Sequence, residues 1–279
     1  MKIKEVLKTG ILELNLNNIT DANIKAKMLL SHIMNKPKEY FIIHEDEEID
    51  ETIFLNGIKK LINNVPIQYI INHQEFMKLD FYVDENVLIP QPDTEILVEE
   101  VINLNKDKSN LNILDLCTGS GCIAISLAKY IKDANVVATD ISEKAIQIAK
   151  LNAEKNCIHK NIKFIQSDMF ANIDNDYQFD YIVSNPPYIK TDVVKSLSEE
   201  VKKEPIIALD GGKDGLIFYK KIINNAYKYL KDDGYLCLEI GYDQKDEVIK
   251  LLNNSERYKD VYSKKDLAGN DRIVIAKKV

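Results

Sequence analysis

The 279-residue sequence sets 37 Lys and Arg against 44 Asp and Glu, a net charge of −7 that disfavours a generic grip on phosphate backbones and favours protein or small-molecule substrates. With 45% hydrophobic and 29% charged residues it has an ordinary globular composition, long enough for one large or two unequal domains. It contains no apolar run near the ~18 residues of a membrane span, and the amino terminus MKIKEVLKTG lacks the apolar stretch of a secretory signal, so a cytoplasmic protein without membrane contact is expected.

From Met1 to about Asn64 the apolar spacing is helical: Ile3, Val6, Leu7, Ile11 and Leu14 recur at three- and four-residue steps, then Ile24, Met28, Leu29 and Ile33. Asp21 and Asp50 are suitable N-caps for the second and last helices, and Pro37 suits the first turn of a short one between them. Residues 1–64 therefore read as a small helical bundle whose Lys-rich outer faces are solvated surface or, on the sharper reading, a docking surface for a partner. Residues 65–89 change to aromatic and β-forming side chains around a short turn, Gln74–Met77 and Leu79–Val83, and read as a β-hairpin linker.

Residues 90–279 form the third segment. Pro90-Gln91-Pro92-Asp93-Thr94-Glu95 opens a helix buried through Ile96, Leu97, Val101 and Leu104, with Asp93 or Thr94 as its cap. From Leu111 strands and helices alternate, which predicts a doubly wound, mostly parallel sheet. Its strands are Leu111–Leu116, Asn135–Thr139, Ile162–Ile165, Phe179–Val183 and Tyr235–Ile240, completed by a final pair near Tyr258–Tyr262 and Arg272–Ala276. Ser142 caps the helix after the second strand.

Cys117, Cys122, Cys157 and Cys237 form no CxxC pair, and His32, His44, His73 and His159 are scattered without ligand spacing. Packed, reduced thiols and the absence of a metal site are expected.

Two stretches carry chemistry. The turn Cys117-Thr118-Gly119-Ser120-Gly121 joins the first strand to its helix, so backbone N–H groups can approach a ligand closely. Asp140, ending the second strand, is placed to accept hydrogen bonds from ribose hydroxyls. Asp168, ending the third, can accept from an adenine amino group, with Met169 as an apolar edge. These features alone fit NAD as well as S-adenosylmethionine; the missing GK[ST] excludes a P-loop.

The second stretch, Asn185-Pro186-Pro187-Tyr188, follows the fourth strand. Two prolines cannot continue a ladder and hold a stiff segment with free carbonyls. With Asn185 Oδ1 and the Pro186 carbonyl as acceptors and Tyr188 as a flat wall, such a segment suits a planar, hydrogen-bond-donating amide or amino-purine.

In this order and spacing, Asp115-Leu116-Cys117-Thr118-Gly119-Ser120-Gly121 and Asn185-Pro186-Pro187-Tyr188 resemble a class I S-adenosylmethionine-dependent methyltransferase acting on nitrogen. The closer resemblance is to the HemK/PrmC family, the protein-(glutamine-N5) methyltransferases of peptide-chain release factors. It is carried further by Ile89 to Glu95, Glu204-Pro205 to Ala208-Leu209, Gly211-Gly212, Asp214-Gly215-Leu216, Leu238-Glu239-Ile240-Gly241 and Asp266 to Arg272. Gln91 departs from the arginine usual there and removes a cation. Cys117 replaces the more usual glycine, so positive φ is not expected at this residue.

The resemblance implies a Rossmann-like, seven-stranded, mostly parallel sheet with a small N-terminal helical bundle, residues 1–64, as substrate-recognition domain and a linking β-hairpin. It also implies methyl transfer from S-adenosylmethionine, leaving S-adenosylhomocysteine, to the glutamine N5 of the release-factor Gly-Gly-Gln motif, in support of translation termination. Asn185, Pro186 and Tyr188 are then the catalytic residues, and Asn185, Pro186, Pro187 and Tyr188 the substrate-binding set. Cys117, Thr118, Gly119, Ser120, Gly121, Asp140, Asp168, Met169 and Asn185 bind the cofactor. A monomer that binds no nucleic acid directly is expected. A nucleic-acid amino-methyltransferase would use the same clamp, but no concentrated basic-aromatic stretch accompanies it. A non-catalytic adaptor would not need both Asp140 and the complete tetrapeptide.

Overall fold

A computed structural model describes residues 1–105 and 109–279. The chain forms two compact units, Met1–His73 with Ser198–Lys203, and Gln74–Leu197 with Glu204–Val279.

The first unit is helical: α1 (Ile3–Leu16), α2 (Ala22–Met34), α3 (Tyr40–Ile43), α4 (Thr52–Ile62) and α5 (Ile67–Ile71). Its core joins Ile3, Val6 and Leu14 of α1 to Leu29 and Leu30 of α2 and Phe54 and Ile58 of α4, the stripes that a 3.6-residue period brings to one face. The returning segment is fastened by Glu200, whose Oε2 lies 2.9 Å from Nζ of the buried Lys25. Capping departs from expectation at three points. Asp21 precedes α2 in a left-handed conformation with φ of 55° and makes no side-chain cap, because that backbone turns its carboxylate away from the first N–H groups. Pro37 lies in the turn before α3, its carbonyl accepting from Tyr40 N at 3.0 Å, rather than within the helix. Asp50 stands one residue ahead of the N-cap of α4, which is Glu51, although its Oδ1 still accepts from Thr52 N at 2.9 Å.

The second unit opens with the antiparallel hairpin β1 (Gln74–Phe76) and β2 (Leu79–Phe81). Its two turn residues, Met77 and Lys78, take φ of 49° and 58°, the left-handed pair that matches strand twist in a tight hairpin. There follow α6 (Pro92–Asn103), β3 (Asn112–Leu116), α7 (Cys122–Tyr130), β4 (Asn135–Asp140), α8 (Glu143–Lys155), β5 (Ile162–Gln166) and β6 (Phe179–Ser184). The short α9 (Thr191–Val194) and α10 (Ile206–Leu209) lead to α11 (Ile217–Tyr229), β7 (Leu230–Glu239), α12 (Lys245–Asn254), β8 (Tyr258–Lys265) and β9 (Asp271–Lys278).

The sheet order is β5-β4-β3-β6-β7-β9-β8, parallel except that β9 runs antiparallel to both its neighbours. Both faces are covered. Ile113, Val136 and Tyr181 pack with Leu97, Val101, Ile123 and Leu127 on one side, while Leu114, Ile182, Leu236 and Leu238 pack with Tyr219, Ile222 and Ile223 on the other. This double burial is why the strands read as near-continuous apolar runs rather than alternating ones. β7 begins at Leu230, earlier than the sequence pattern suggests, because the pairing with β6 shifts register between Phe179 and Tyr181 and absorbs Asp233 and Gly234.

Chain order reverses direction between β3 and β6. The loops leaving these adjacent strands diverge, and in open parallel sheets the crevice so formed at the carboxyl ends is where ligands bind. The glycine turn follows β3 and Asn185-Pro186-Pro187-Tyr188 follows β6.

Candidate active site

The turn after β3 is tighter than its sequence implies. Cys117, Gly119 and Gly121 all adopt left-handed backbone, with φ of 61°, 54° and 83°. The expectation for Cys117 is therefore overturned: this position keeps the conformation glycine would take, and a Cβ-bearing residue holds it under strain. The turn is fixed by Thr118, whose N–H donates to Thr139 O at 2.9 Å and whose Oγ1 donates to Asp115 Oδ2 at 2.6 Å. Asp115 is fully buried with Oδ1 unpartnered among the described residues, and burial pushes its carboxyl up to about 7.

Asp140, at the end of β4, closes the other side. Its Oδ2 accepts from Gly119 N and its Oδ1 from Ser142 N, both at 2.9 Å, and burial raises its pKa. Each oxygen keeps a further lone pair for a ligand. Ser142 in turn caps α8 through Ala145 N, as its sequence position suggests.

A cavity of about 250 Å³ lies over these strand ends. Of the residues expected to hold a nucleoside, Cys117, Gly119, Asp140, Asp168, Met169 and Asn185 line it. Thr118 and Ser120 instead face a cleft of about 40 Å³ that shares Cys117, Gly119 and Asn185 with the cavity, and Gly121 lines neither. Asp168 is half exposed, with Lys221 Nζ at 3.9 Å. Leu88, Ile141 and Phe218 supply apolar walls that the motifs alone did not single out. Ile141 was legible in the sequence as a large apolar residue between a strand end and a helix cap, and it is 49% exposed. Leu88 and Phe218 carry no such signal.

Asn185 and Pro187 line the larger cavity and Asn185 the cleft, whereas Pro186 and Tyr188 line neither. Tyr188 Oη instead donates to Glu239 Oε1 at 3.4 Å, and burial raises the phenol's pKa. The segment is braced from behind at backbone level. Gln244 Nε2 donates to Tyr188 O at 2.9 Å, and a Cβ placed on Gly211 would lie 2.7 Å from Tyr188 Cα and 2.9 Å from Pro187 O.

Neither Asp93 nor Thr94 caps α6. Pro92 occupies the first turn, where its missing N–H costs nothing, and both predicted caps are drawn into tertiary contacts. Asp93 Oδ2 lies 3.1 Å from Arg272 Nη2, which also meets Asp266 Oδ2 at 2.9 Å; that pairing holds the Asp266 carboxyl down at about 2. Thr94 Oγ1 accepts from Asn185 Nδ2 at 3.2 Å. Glu239, at the end of β7, is 1% exposed, and its carboxyl is pushed up to about 7 by burial, against the opposing pull of Thr94 and Arg272. Gln91 lines the cleft and folds back, Nε2 donating to Ile89 O at 2.9 Å.

Cys122 and Cys237 are buried, but Cys157 is exposed, contrary to the expectation that all four thiols are packed; it lies just past the end of α8 with left-handed φ of 58°. Among the described residues no cluster of three or more His, Cys, Asp or Glu is arranged to hold a metal, and no helix is long and apolar enough to cross a membrane.

Residues 5–71 match the PrmC N-terminal domain and residues 91–204 the Methyltransferase small domain. The chain is 40% identical to the release factor glutamine methyltransferase of Clostridium acetobutylicum, over 99% of this chain and 98% of that protein. It is also 40% identical to that of Clostridium botulinum, over the full length of both. Among solved structures, a methyltransferase from Pyrococcus furiosus shares the fold at a TM-score of 0.55, with 21% identity over 80% of this chain and 98% of that one.

Proposed function

Because the chain belongs to the release factor glutamine methyltransferase family, we propose that it transfers a methyl group from S-adenosylmethionine to the side-chain N5 of the glutamine in the release-factor Gly-Gly-Gln motif. The observation that carries this reading is the position of Asn185, an amide at the junction of a nucleoside-sized cavity and a narrow cleft.

The residues present suit the cofactor. Gly119 has nothing within 4 Å of the place a Cβ would occupy, so its backbone is open on that side. Asp140 keeps lone pairs for two hydroxyls, and Ile141, Met169 and Phe218 give a purine apolar contact. When bound, S-adenosylmethionine supplies a methyl group on a sulfonium, whose C–S bonding pair stays with sulfur as S-adenosylhomocysteine.

An amide nitrogen is a poor nucleophile because its lone pair is delocalised, and the protein's task is to fix and polarise it. Asn185 Oδ1 and the Pro186 carbonyl accept the two amide hydrogens, hold the amide plane and draw electron density toward nitrogen. Pro187 keeps this segment from adapting, and Tyr188 anchors its far end. After transfer the nitrogen loses one proton to water, so no general base precedes the step. The first unit selects the protein substrate. Lys4, Lys8 and Lys27 rim a groove of about 590 Å³ there, with Leu12 and Ile42 exposed along it, a surface suited to an amphipathic partner.

Transfer of labelled methyl to purified release factor tests the reading, with wild-type factor compared against a Gln→Ala change in its Gly-Gly-Gln motif. Label on the wild type alone is expected; equal label on both would sink the reading.

A further inference from the structure

Both ends of the Asn185-to-Tyr188 segment lead to one buried carboxylate. Tyr188 Oη reaches Glu239 Oε1 directly at 3.4 Å. Asn185 approaches it through Thr94: Asn185 Nδ2 donates to Thr94 Oγ1 at 3.2 Å, and the Thr94 side chain lies near enough to the Glu239 carboxyl to pull its pKa down, without a hydrogen bond of good geometry. Thr94 is 2% exposed and Glu239 1%, so bulk water does not compete for these groups. Glu239 Oε2 is buried with no partner that meets hydrogen-bond geometry among the described residues, which leaves an acceptor in want of a proton.

We infer that Thr94 and Glu239 are positioning residues that determine which end of the Asn185 amide is presented to the substrate. The inference rests on the reaction proposed above. The two ends of an asparagine amide have nearly the same shape, so packing alone does not choose between them; hydrogen-bond polarity does. Above about pH 7, where Glu239 is ionised, its carboxylate offers only lone pairs, and the Thr94 proton turns toward it. Thr94 Oγ1 then has only lone pairs left for Asn185, which must answer with Nδ2. Oδ1 is thereby left for the substrate. A reversed amide would set N–H groups against the N–H groups of a glutamine side chain, and the polarisation described above would be lost. A purely structural Thr94, filling the first turn of α6, would affect stability and leave turnover alone.

The test uses the full chain with a release factor and labelled cofactor at about pH 8, where Glu239 is ionised. Thr94→Val keeps the shape and removes the relay; Thr94→Ser keeps the hydroxyl. Thr94→Val is expected to lower kcat about tenfold, the size of one orienting hydrogen bond, while KM for the factor and calorimetric cofactor affinity stay within about twofold. Thr94→Ser is expected to restore most of kcat. Should Thr94→Val not fold, Thr94→Ala carries the same expectation. A wild-type kcat in the hydroxyl-less variant, or a Thr94→Ser variant as impaired as that one, overturns the inference. No labelling by the wild-type enzyme would instead sink the proposed reaction, so the two failures are distinguishable.

Discussion

Asn152 and Tyr82 exchange two hydrogen bonds in the manner of paired strand residues, although one partner is a side chain: Tyr82 N donates to Asn152 Oδ1 at 2.6 Å and Asn152 Nδ2 donates to Tyr82 O at 3.0 Å. The second Nδ2 hydrogen goes to Ser120 O at 2.9 Å. One buried amide on α8 thus joins the strand end after β2 to the glycine turn. Replacing Asn152 by Leu breaks all three bonds and is expected to cost about 3 kcal/mol. Denaturant unfolding measures the loss, and a variant as stable as wild type refutes the assignment.

Asn185→Ala should divide binding from chemistry. The alanine removes the acceptor proposed to hold the reacting amide but little cavity wall, so cofactor affinity by calorimetry should change by less than about threefold while kcat falls about a hundredfold. Loss of cofactor affinity in proportion to kcat would contradict that division.

Cys117 stands in left-handed backbone, with φ of 61°. Cys117→Gly releases the Cβ strain, offset in part by the freer unfolded chain, and is expected to stabilise the protein by about 0.5–1 kcal/mol. A lowered melting temperature would show that thiol packing outweighs the backbone term.

The thiols should react in order of access. Burial raises the pKa of Cys117, Cys122 and Cys237 and keeps them protonated, while Cys157 is exposed. Brief alkylation followed by peptide mass spectrometry is expected to mark Cys157 first. Equal labelling of Cys237 would argue that the sheet opens readily.

Stability should decline as pH rises toward neutrality. Asp115 and Glu239 have folded-state pKa values raised to about 7 by burial, from ordinary values of 3.8 and 4.5. For a carboxyl raised on folding, the stabilising contribution is complete below the unfolded pKa and is lost as pH climbs through the folded one. The window is therefore from about 4 to about 7. Melting temperatures across it should fall, and Asp115→Asn, which keeps an acceptor for Thr118, should flatten the slope. A wild-type protein whose melting point rises steadily from pH 5 to pH 8 would contradict the assignment.

Much of this was legible in the sequence, for reasons that differ by residue. The strands announced themselves because a sheet buried on both faces leaves no polar alternation, and Ser142 announced a helix start because nothing nearer competes for its hydroxyl. Thr94 and Asp93 misled because a side chain fit to cap a helix is equally fit for a distant partner. Asn185 and Arg272 lie far along the chain, and no local pattern foretells them. Cys117 misled because its conformation is imposed by the turn, through the Thr118 bonds, and not chosen by the residue. The carboxylate at Glu239 belongs to the same class: a strand-end glutamate whose meaning arises only when β7 is laid beside β6.

Gly211 occupies a different kind of position. Its contact with the Tyr188 backbone is made by the absence of an atom, so there is no softer side chain to give way if one is added. Any larger residue would translate directly into displacement of the segment that carries Asn185. In an activity-based mutational scan, position 211 would behave like a member of the catalytic set while taking part in no chemistry, and a census of conserved polar groups would overlook it.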